Sequence, residues 1–187
     1  MEHEQRHDAV LAVAVEVTEV NCRMIHADVL DGLRQIEPES VQCVITSPPY
    51  WGLRDYKVEG QIGLERTVGE YVGRLVGVFA EVRRVLKPDG TLWLNMGDCH
   101  NAYNGGAGPN ASSISSGAQS HERPQLETGY GLRDQNLKPK DLVGLPWRVA
   151  FALQADGWWL RSDIIWSKPN PMPESIRDRP TRAHEYV

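Results

Sequence analysis

Apolar residues at positions 68, 71, 72, 75, 76, 79, 82, 85 and 86 recur every three to four residues. That period predicts one long amphipathic helix over Thr67–Leu86. Glu70 and Arg74 stand four apart on its polar side, the spacing of a favourable ion pair. Gly69, Gly73 and Gly77 form a small-residue stripe, which predicts close packing on a sheet or a neighbouring helix. The charges on this helix exclude the membrane reading of such a stripe. Lys87-Pro88-Asp89-Gly90 carries turn chemistry and ends it. Runs of strand length lie on either side: Val20–His26, Val41–Thr46, Thr91–Met96 and Trp158–Trp166. Asp28 is placed to cap a short helix over Val29–Ile36, and Glu37-Pro38-Glu39-Ser40 makes a turn. A further helix is predicted over Asp141–Ala155, with Leu145, Val149, Ala152 and Leu153 on one face. Pro146 must sit in its first turn, and Gly157 stops it. Val20–His26, the short helix and Val41–Thr46 in succession predict a strand-helix-strand unit with parallel pairing, in an α/β fold.

Two of the predicted strands end in prolines. Thr46-Ser47-Pro48-Pro49-Tyr50 follows the apolar run Val41–Ile45. Two prolines continue neither a central strand nor a helix interior, so the strand stops there in a rigid polar loop. Ligands of open α/β sheets bind at the carboxyl ends of strands. A hydroxyl, two constrained carbonyls and an aromatic face there suit a flat ring that bears an amino group. Without its surroundings the loop reads equally well as a proline-rich turn or a polyproline ligand for a partner domain. The strand before it and Trp51-Gly52-Leu53-Arg54-Asp55-Tyr56 after it favour the binding site. Gly97-Asp98 falls on the same edge as Tyr50 if the strands are parallel. Ser167-Lys168-Pro169-Asn170-Pro171-Met172-Pro173 marks a second strand end of the same kind.

Composition narrows the picture. With 187 residues, 41% hydrophobic and 24% charged, the chain can bury a core, and disorder is excluded over most of it. No apolar run is long enough to span a bilayer. The polar start lacks the apolar core of a signal peptide, so residues 1–19 read as a flexible leader. Cys22, Cys43 and Cys99 are widely spaced and form no Cys-x-x-Cys pair, which fits a reducing cytosol and a cytoplasmic protein. Asp98-Cys99-His100 is no metal site, because adjacent residues on an extended segment point apart and no other ligands cluster there. A net charge of −5 excludes a broad basic surface but leaves room for a local cleft. Residues 101–136 are rich in Gly, Ser and Asn and read as a long mobile loop on the edge that carries the proline loop.

Ile45-Thr46-Ser47-Pro48-Pro49-Tyr50 with its Trp51–Tyr56 extension resembles DNA methyltransferases that modify exocyclic amino groups. The likeness is greatest to the cytosine-N4 type of the permuted β class. Trp166-Ser167-Lys168-Pro169-Asn170-Pro171 resembles a later motif of the same enzymes. The resemblance runs from about Val20 to the end of the chain. It implies part of a Rossmann-like, three-layer S-adenosylmethionine-dependent methyltransferase sheet that lacks the cofactor-loop strands. Residues 20–187 then form the catalytic half of the domain. It also implies double-stranded DNA as partner, S-adenosylmethionine as donor without a metal, and a role in restriction-modification or phage DNA modification. The 101–136 loop would then be one that orders on DNA.

The resemblance further assigns roles. The amino nitrogen of a base is a poor nucleophile because its lone pair is delocalised into the ring. The Ser47 hydroxyl oxygen and the Pro48 carbonyl would accept its two N–H groups and free that pair. Pro49 would keep the loop rigid and Tyr50 would stack on the flipped base. The methyl group would pass in line, with no covalent enzyme intermediate; none of the cysteines sits in the Pro-Cys loop of ring-carbon methyltransferases. Ser47 favours cytosine N4, where adenine-specific relatives carry Asp or Asn. Arg54, Tyr56, Lys168 and Asn170 are candidate DNA contacts, beside the reading of Lys168 as a surface lysine. Asp28 resembles a position near the cofactor, although a helix cap is the simpler explanation.

The family's glycine-rich cofactor loop has no match in the chain. Gly105-Gly106-Ala107-Gly108 lacks the preceding apolar strand and the later acidic partner. A C-terminal half or a partner chain is therefore expected to carry that loop, and the chain alone is expected to show little activity. The alternatives are an adenine-N6 enzyme or a non-catalytic DNA-binding remnant.

Overall fold

The computed structural model describes residues 21–101, 134–171, 173 and 177–187. The expected leader and residues 102–133 of the expected mobile loop lie outside the described residues. So does the Gly105–Gly108 run.

Seven elements follow in order: α1 (Val29–Arg34), β1 (Val41–Thr46), α2 (Val68–Val85), β2 (Leu86–Leu94), α3 (Leu145–Ala155), β3 (Ile165–Ser167) and β4 (His184–Tyr186). β1 and β2 pair in parallel, with Ile45 beside Trp93 and Thr46 beside Leu94. Val41 faces Leu86 and Cys43 faces Thr91, so Lys87–Gly90 bulges out of the ladder as the turn that its residues predict. β3 and β4 pair antiparallel. A bridge from Met96 to Tyr186, with N···O distances of 2.8 and 3.2 Å, joins the two pairs. The spatial order is therefore β1-β2-β4-β3, with β4 reversed. The carboxyl ends of β1, β2 and β3 consequently share one edge.

The core lies between the β1-β2 pair and the helices. Val68, Tyr71, Leu75, Val78, Phe79, Val82 and Val85 of α2 are buried. They meet Leu86, Met96, Leu145, Val149 and Leu153 in one cluster. The 3.6-residue period of α2 thus points a continuous stripe at the sheet. α1 and α3 both pack on α2, which makes one helical layer. The opposite side of β1 presents Ile45, 81% exposed, beside the exposed Trp93. The described residues thus form two of the three expected layers.

Several expectations are corrected. Residues 21–26 form no strand. Polar Asn21, Arg23 and His26 interrupt the run, and Met24 is 92% exposed, so no face is buried that would hold a ladder in place. Trp158–Trp166 is irregular until Ile164, where Val187 supplies a backbone partner. Trp158 instead folds back, its N–H donating to the Leu153 carbonyl at 3.0 Å. α3 starts at Leu145 rather than Asp141, because Asp98 Oδ1 accepts the Gly144 and Leu145 N–H groups at 2.9 and 3.0 Å. Gly69, Gly73 and Gly77 are exposed, and a Cβ at Gly73 or Gly77 would meet nothing within 4 Å. Glu70 and Arg74 do not pair. Glu70 closes a capping box with Thr67, and Arg74 turns to Glu65.

Candidate active site

The Ser47-Pro48-Pro49-Tyr50 loop leaves β1 at the shared edge and is held from below, beside and behind. Below it, the buried Tyr71 hydroxyl of α2 donates to the Pro49 carbonyl at 2.9 Å. Burial pushes the Tyr71 phenol above its ordinary pKa, with the Glu65 charge adding to the effect, so the hydroxyl stays a donor. Beside the loop, Gly52 N–H donates to the Gly63 carbonyl at 2.7 Å. Gly63 has φ 104°, and a Cβ there would fall 2.9 Å from the Tyr50 carbonyl oxygen. Only glycine fits that approach and that dihedral. Trp51 is buried as packing, its indole N–H donating to the Glu65 carbonyl at 2.9 Å. Glu65 accepts the Gly63 N–H at 2.9 Å and pairs with Arg74 at 3.1 Å. Arg74 also donates to the carbonyls of Gln61 and Gly60.

Behind the loop stands the end of β2. Asn95 N–H donates to the Thr46 carbonyl at 2.9 Å, and Asn95 Oδ1 accepts the Tyr50 hydroxyl at 2.9 Å. The Ser47 hydroxyl in turn donates to the Tyr50 oxygen at 3.3 Å. Gly97 lies against the Tyr50 ring: a Cβ there would sit 2.8 Å from Cε2. The parallel register therefore brings Gly97 to Tyr50, as the sequence predicts.

Ser47, Pro48, Pro49, Tyr50, Leu53, Arg54 and Tyr56 line one open pocket of about 310 Å³. The Gln61 carboxamide shapes its outer wall by accepting the Tyr56 N–H and donating to the Arg54 carbonyl. The four loop residues thus share one recess with Arg54 and Tyr56. Lys168 and Asn170 stand on the same sheet edge, outside that lining. Lys168 pairs with Glu185 across the β3-β4 hairpin, and Asn170 is exposed. Asp28 caps α1, its Oδ1 accepting the Leu30 N–H at 3.0 Å.

Neighbouring groups are chemically quiet. Asp98 is committed to the start of α3. Burial pushes the Cys99 thiol up to about 12, with Asp98 adding to the effect, so it carries no thiolate near neutrality. Among the described residues no cluster of three or more His, Cys, Asp or Glu could hold a metal ion. No helix among them is long and apolar enough to cross a membrane.

The sequence reading missed Asn95 and Tyr71. A polar residue ending the apolar run Thr91–Leu94 was a usable signal for Asn95. Tyr71 is concealed, because its ring satisfies the apolar stripe of α2 and its hydroxyl leaves no mark on that pattern.

An α/β fold with a parallel β1-β2 pair and a rigid Thr-Ser-Pro-Pro-Tyr turn at its carboxyl edge, beside an open recess, fits the exocyclic-amino class of methyltransferases. The DNA methylase family matches residues 41–187, and the chain belongs to it. It is 54% identical over 165 residues to the Type II methyltransferase M.XycI of Xanthomonas campestris pv. cyanopsidis, covering 88% of this chain and 52% of that protein. It is 50% identical over 167 residues to M.SmaI of Serratia marcescens, covering 89% of this chain and 54% of that protein. The chain thus spans about half the length of these relatives. Among solved structures, the cytosine-N4-specific PvuII DNA methyltransferase superposes with a TM-score of 0.52 at 21% identity, over 86% of this chain and 45% of that one. That likeness concerns the fold, a Rossmann-like methyltransferase sheet of which this chain holds part.

Proposed function

We propose that residues 20–187 are the catalytic half of a DNA methyltransferase that acts on the exocyclic amino group of a flipped base, cytosine N4. A C-terminal half or a partner chain would supply the cofactor loop. S-adenosylmethionine, when bound, supplies an electrophilic methyl group. The described residues fit the base and not the methionine part of that donor, because no glycine-rich turn among them follows a strand beside the pocket. Asp28 could meet the donor only while sharing its carboxylate with the α1 cap.

The observation that carries the reading is the hydrogen-bond chain from Ser47 through Tyr50 to Asn95. The Tyr50 hydroxyl gives its proton to the Asn95 carboxamide oxygen and receives that of Ser47. The Ser47 lone pairs are then turned outward, ready to accept an amino N–H. The Pro48 carbonyl offers the second acceptor on the same rim. Two fixed acceptors on one amino group localise its lone pair and raise its nucleophilicity. Because the loop is held before any ligand arrives, little reorganisation is needed. The Tyr50 ring offers a stacking face, and base stacking on an aromatic is worth about 1–3 kcal/mol. Arg54 and Tyr56, which line the outer wall of the pocket, would contact the flanking strand. Lys168 would reach a phosphate only by releasing Glu185, and Asn170 would follow it. The setting is duplex DNA in a prokaryotic or phage-infected cytoplasm, within restriction-modification or phage DNA modification.

Nucleoside analysis of DNA incubated with labelled donor and with the protein together with the half or partner chain that carries the cofactor loop tests this reading. The expected product is N4-methylcytosine. N6-methyladenine would keep the class and change the base. Salt-sensitive DNA binding without methyl transfer would turn the reading to a non-catalytic remnant.

A further inference from the structure

We infer that Tyr71 is a positioning residue for the methyl-acceptor loop; this rests on the function proposed above. The argument begins with the backbone. The Pro48 carbonyl, the proposed second acceptor, and the Pro49 carbonyl are separated by only two soft rotations, φ and ψ of Pro49. The pyrrolidine ring locks that φ near −65°. With the chain upstream anchored by the Asn95 N–H on the Thr46 carbonyl, fixing the Pro49 carbonyl restricts the remaining ψ, and with it the direction in which the Pro48 carbonyl points.

Tyr71 supplies that fix. Its side chain is 0% exposed, and its hydroxyl donates to the Pro49 oxygen at 2.9 Å. The anchor is stiff because Tyr71 sits in the first full turn of α2, between two locks. The Thr67–Glu70 capping box holds the helix start, and Asp134 Oδ2 accepts the Val68 N–H at 2.9 Å. On the other side, Gly63 lies against the Tyr50 carbonyl and the Pro49 ring and closes the route by which the loop could turn away. A phenylalanine at 71 would fill the same core and leave the loop without its donor. The long helix thus does two jobs with one side chain. The ring packs the core and the hydroxyl aims the loop.

The test is Tyr71→Phe in the native protein, with Leu75→Ala as a core control that leaves the hydroxyl in place. Three quantities are read: thermal melting, amide hydrogen exchange at Gly52 and Leu53, and methyl-transfer kinetics. For Tyr71→Phe the expected result is a melting temperature within a few degrees of the parent, faster exchange at Gly52 and Leu53, and a kcat lower by about 10-fold or more with KM for DNA nearly unchanged. Leu75→Ala should lower the melting temperature and spare kcat below the melt. Unchanged loop exchange and kcat in Tyr71→Phe would overturn the inference. So would a loss in kcat that follows melting temperature alike in both variants. If the parent transfers no methyl group even when the half that carries the cofactor loop is supplied, the proposed function fails, and loop exchange still decides the positioning role of Tyr71.

Discussion

Two proline-rich loops leave strands on the same edge of this sheet, and they are held very differently. The first, Ser47–Tyr50, is anchored by buried or partly buried partners: Tyr71 below, Asn95 and Gly97 behind, Gly63 beside. The second, which begins at Ser167, leaves a three-residue strand whose side chains are all exposed. Among the described residues its ties are the Lys168 N–H to the Ala183 carbonyl at 2.8 Å and the Lys168–Glu185 pair, with the lysine side chain 39% exposed. The same kind of sequence signal therefore precedes a braced loop in one place and a more exposed one in the other. What separates them is the second layer of residues. Prolines restrict a loop, but a buried donor and a close glycine decide where its carbonyls point.

Substitutions can break or sharpen this contrast. Ser47→Ala carries the largest expected effect. Loss of a preset acceptor should lower kcat by about 10²–10³-fold, while an exposed side chain should change stability by no more than about 0.5 kcal/mol. Rate and melting curve together check it. Gly97→Ala comes next. Its methyl group must displace the Tyr50 ring, so overpacking of about 1–3 kcal/mol should appear in denaturant unfolding. With the ring out of place, kcat should fall about 10-fold. Asn95→Leu removes the acceptor for Tyr50 and should cost about 2–10-fold in kcat, the equivalent of one hydrogen bond. Asn95→Asp keeps an acceptor and should recover most of that loss. An equal deficit in both variants would show that volume, not the hydrogen-bond chain, matters. Lys168→Ala should do least. A half-exposed ion pair contributes about 0–1 kcal/mol, and one lost phosphate contact should reduce the salt slope of DNA binding by about 1. A collapse of kcat in Lys168→Ala would erase the distinction between the loops.

Much of this was legible in the sequence, for physical reasons that differ by region. α2 was legible because its apolar period runs through eighteen residues, long enough to outweigh local noise. β1 was legible because an apolar run meets two prolines; parallel pairing was expected of Val41–Thr46 with Val20–His26, and it is β2 that takes that place beside β1. If the strands are parallel, the sequence also puts Gly97 on the same edge as Tyr50, and the structure brings the two into contact. The strand expected at Val20–His26 fails because local pattern does not reveal whether a neighbour exists to complete a ladder. Trp158–Trp166 fails likewise, since β4 reaches only its last residues. The Glu70–Arg74 pair is absent because capping claims Glu70, and a sequence-distant carboxylate, Glu65, claims Arg74. Tyr71 was concealed for a related reason: its hydroxyl matters only once the proline loop is folded over it.

Amide hydrogen exchange on the native protein, resolved at both loops before any ligand is added, tests the central claim that the acceptor loop is preset. The account predicts that Gly52 and Leu53 exchange slowly, on the scale of the α2 amides, while Asn170 exchanges far faster. Equal, fast exchange at Gly52 and Asn170 would contradict it, since the acceptors at Ser47 and Pro48 would then have to be assembled by the substrate.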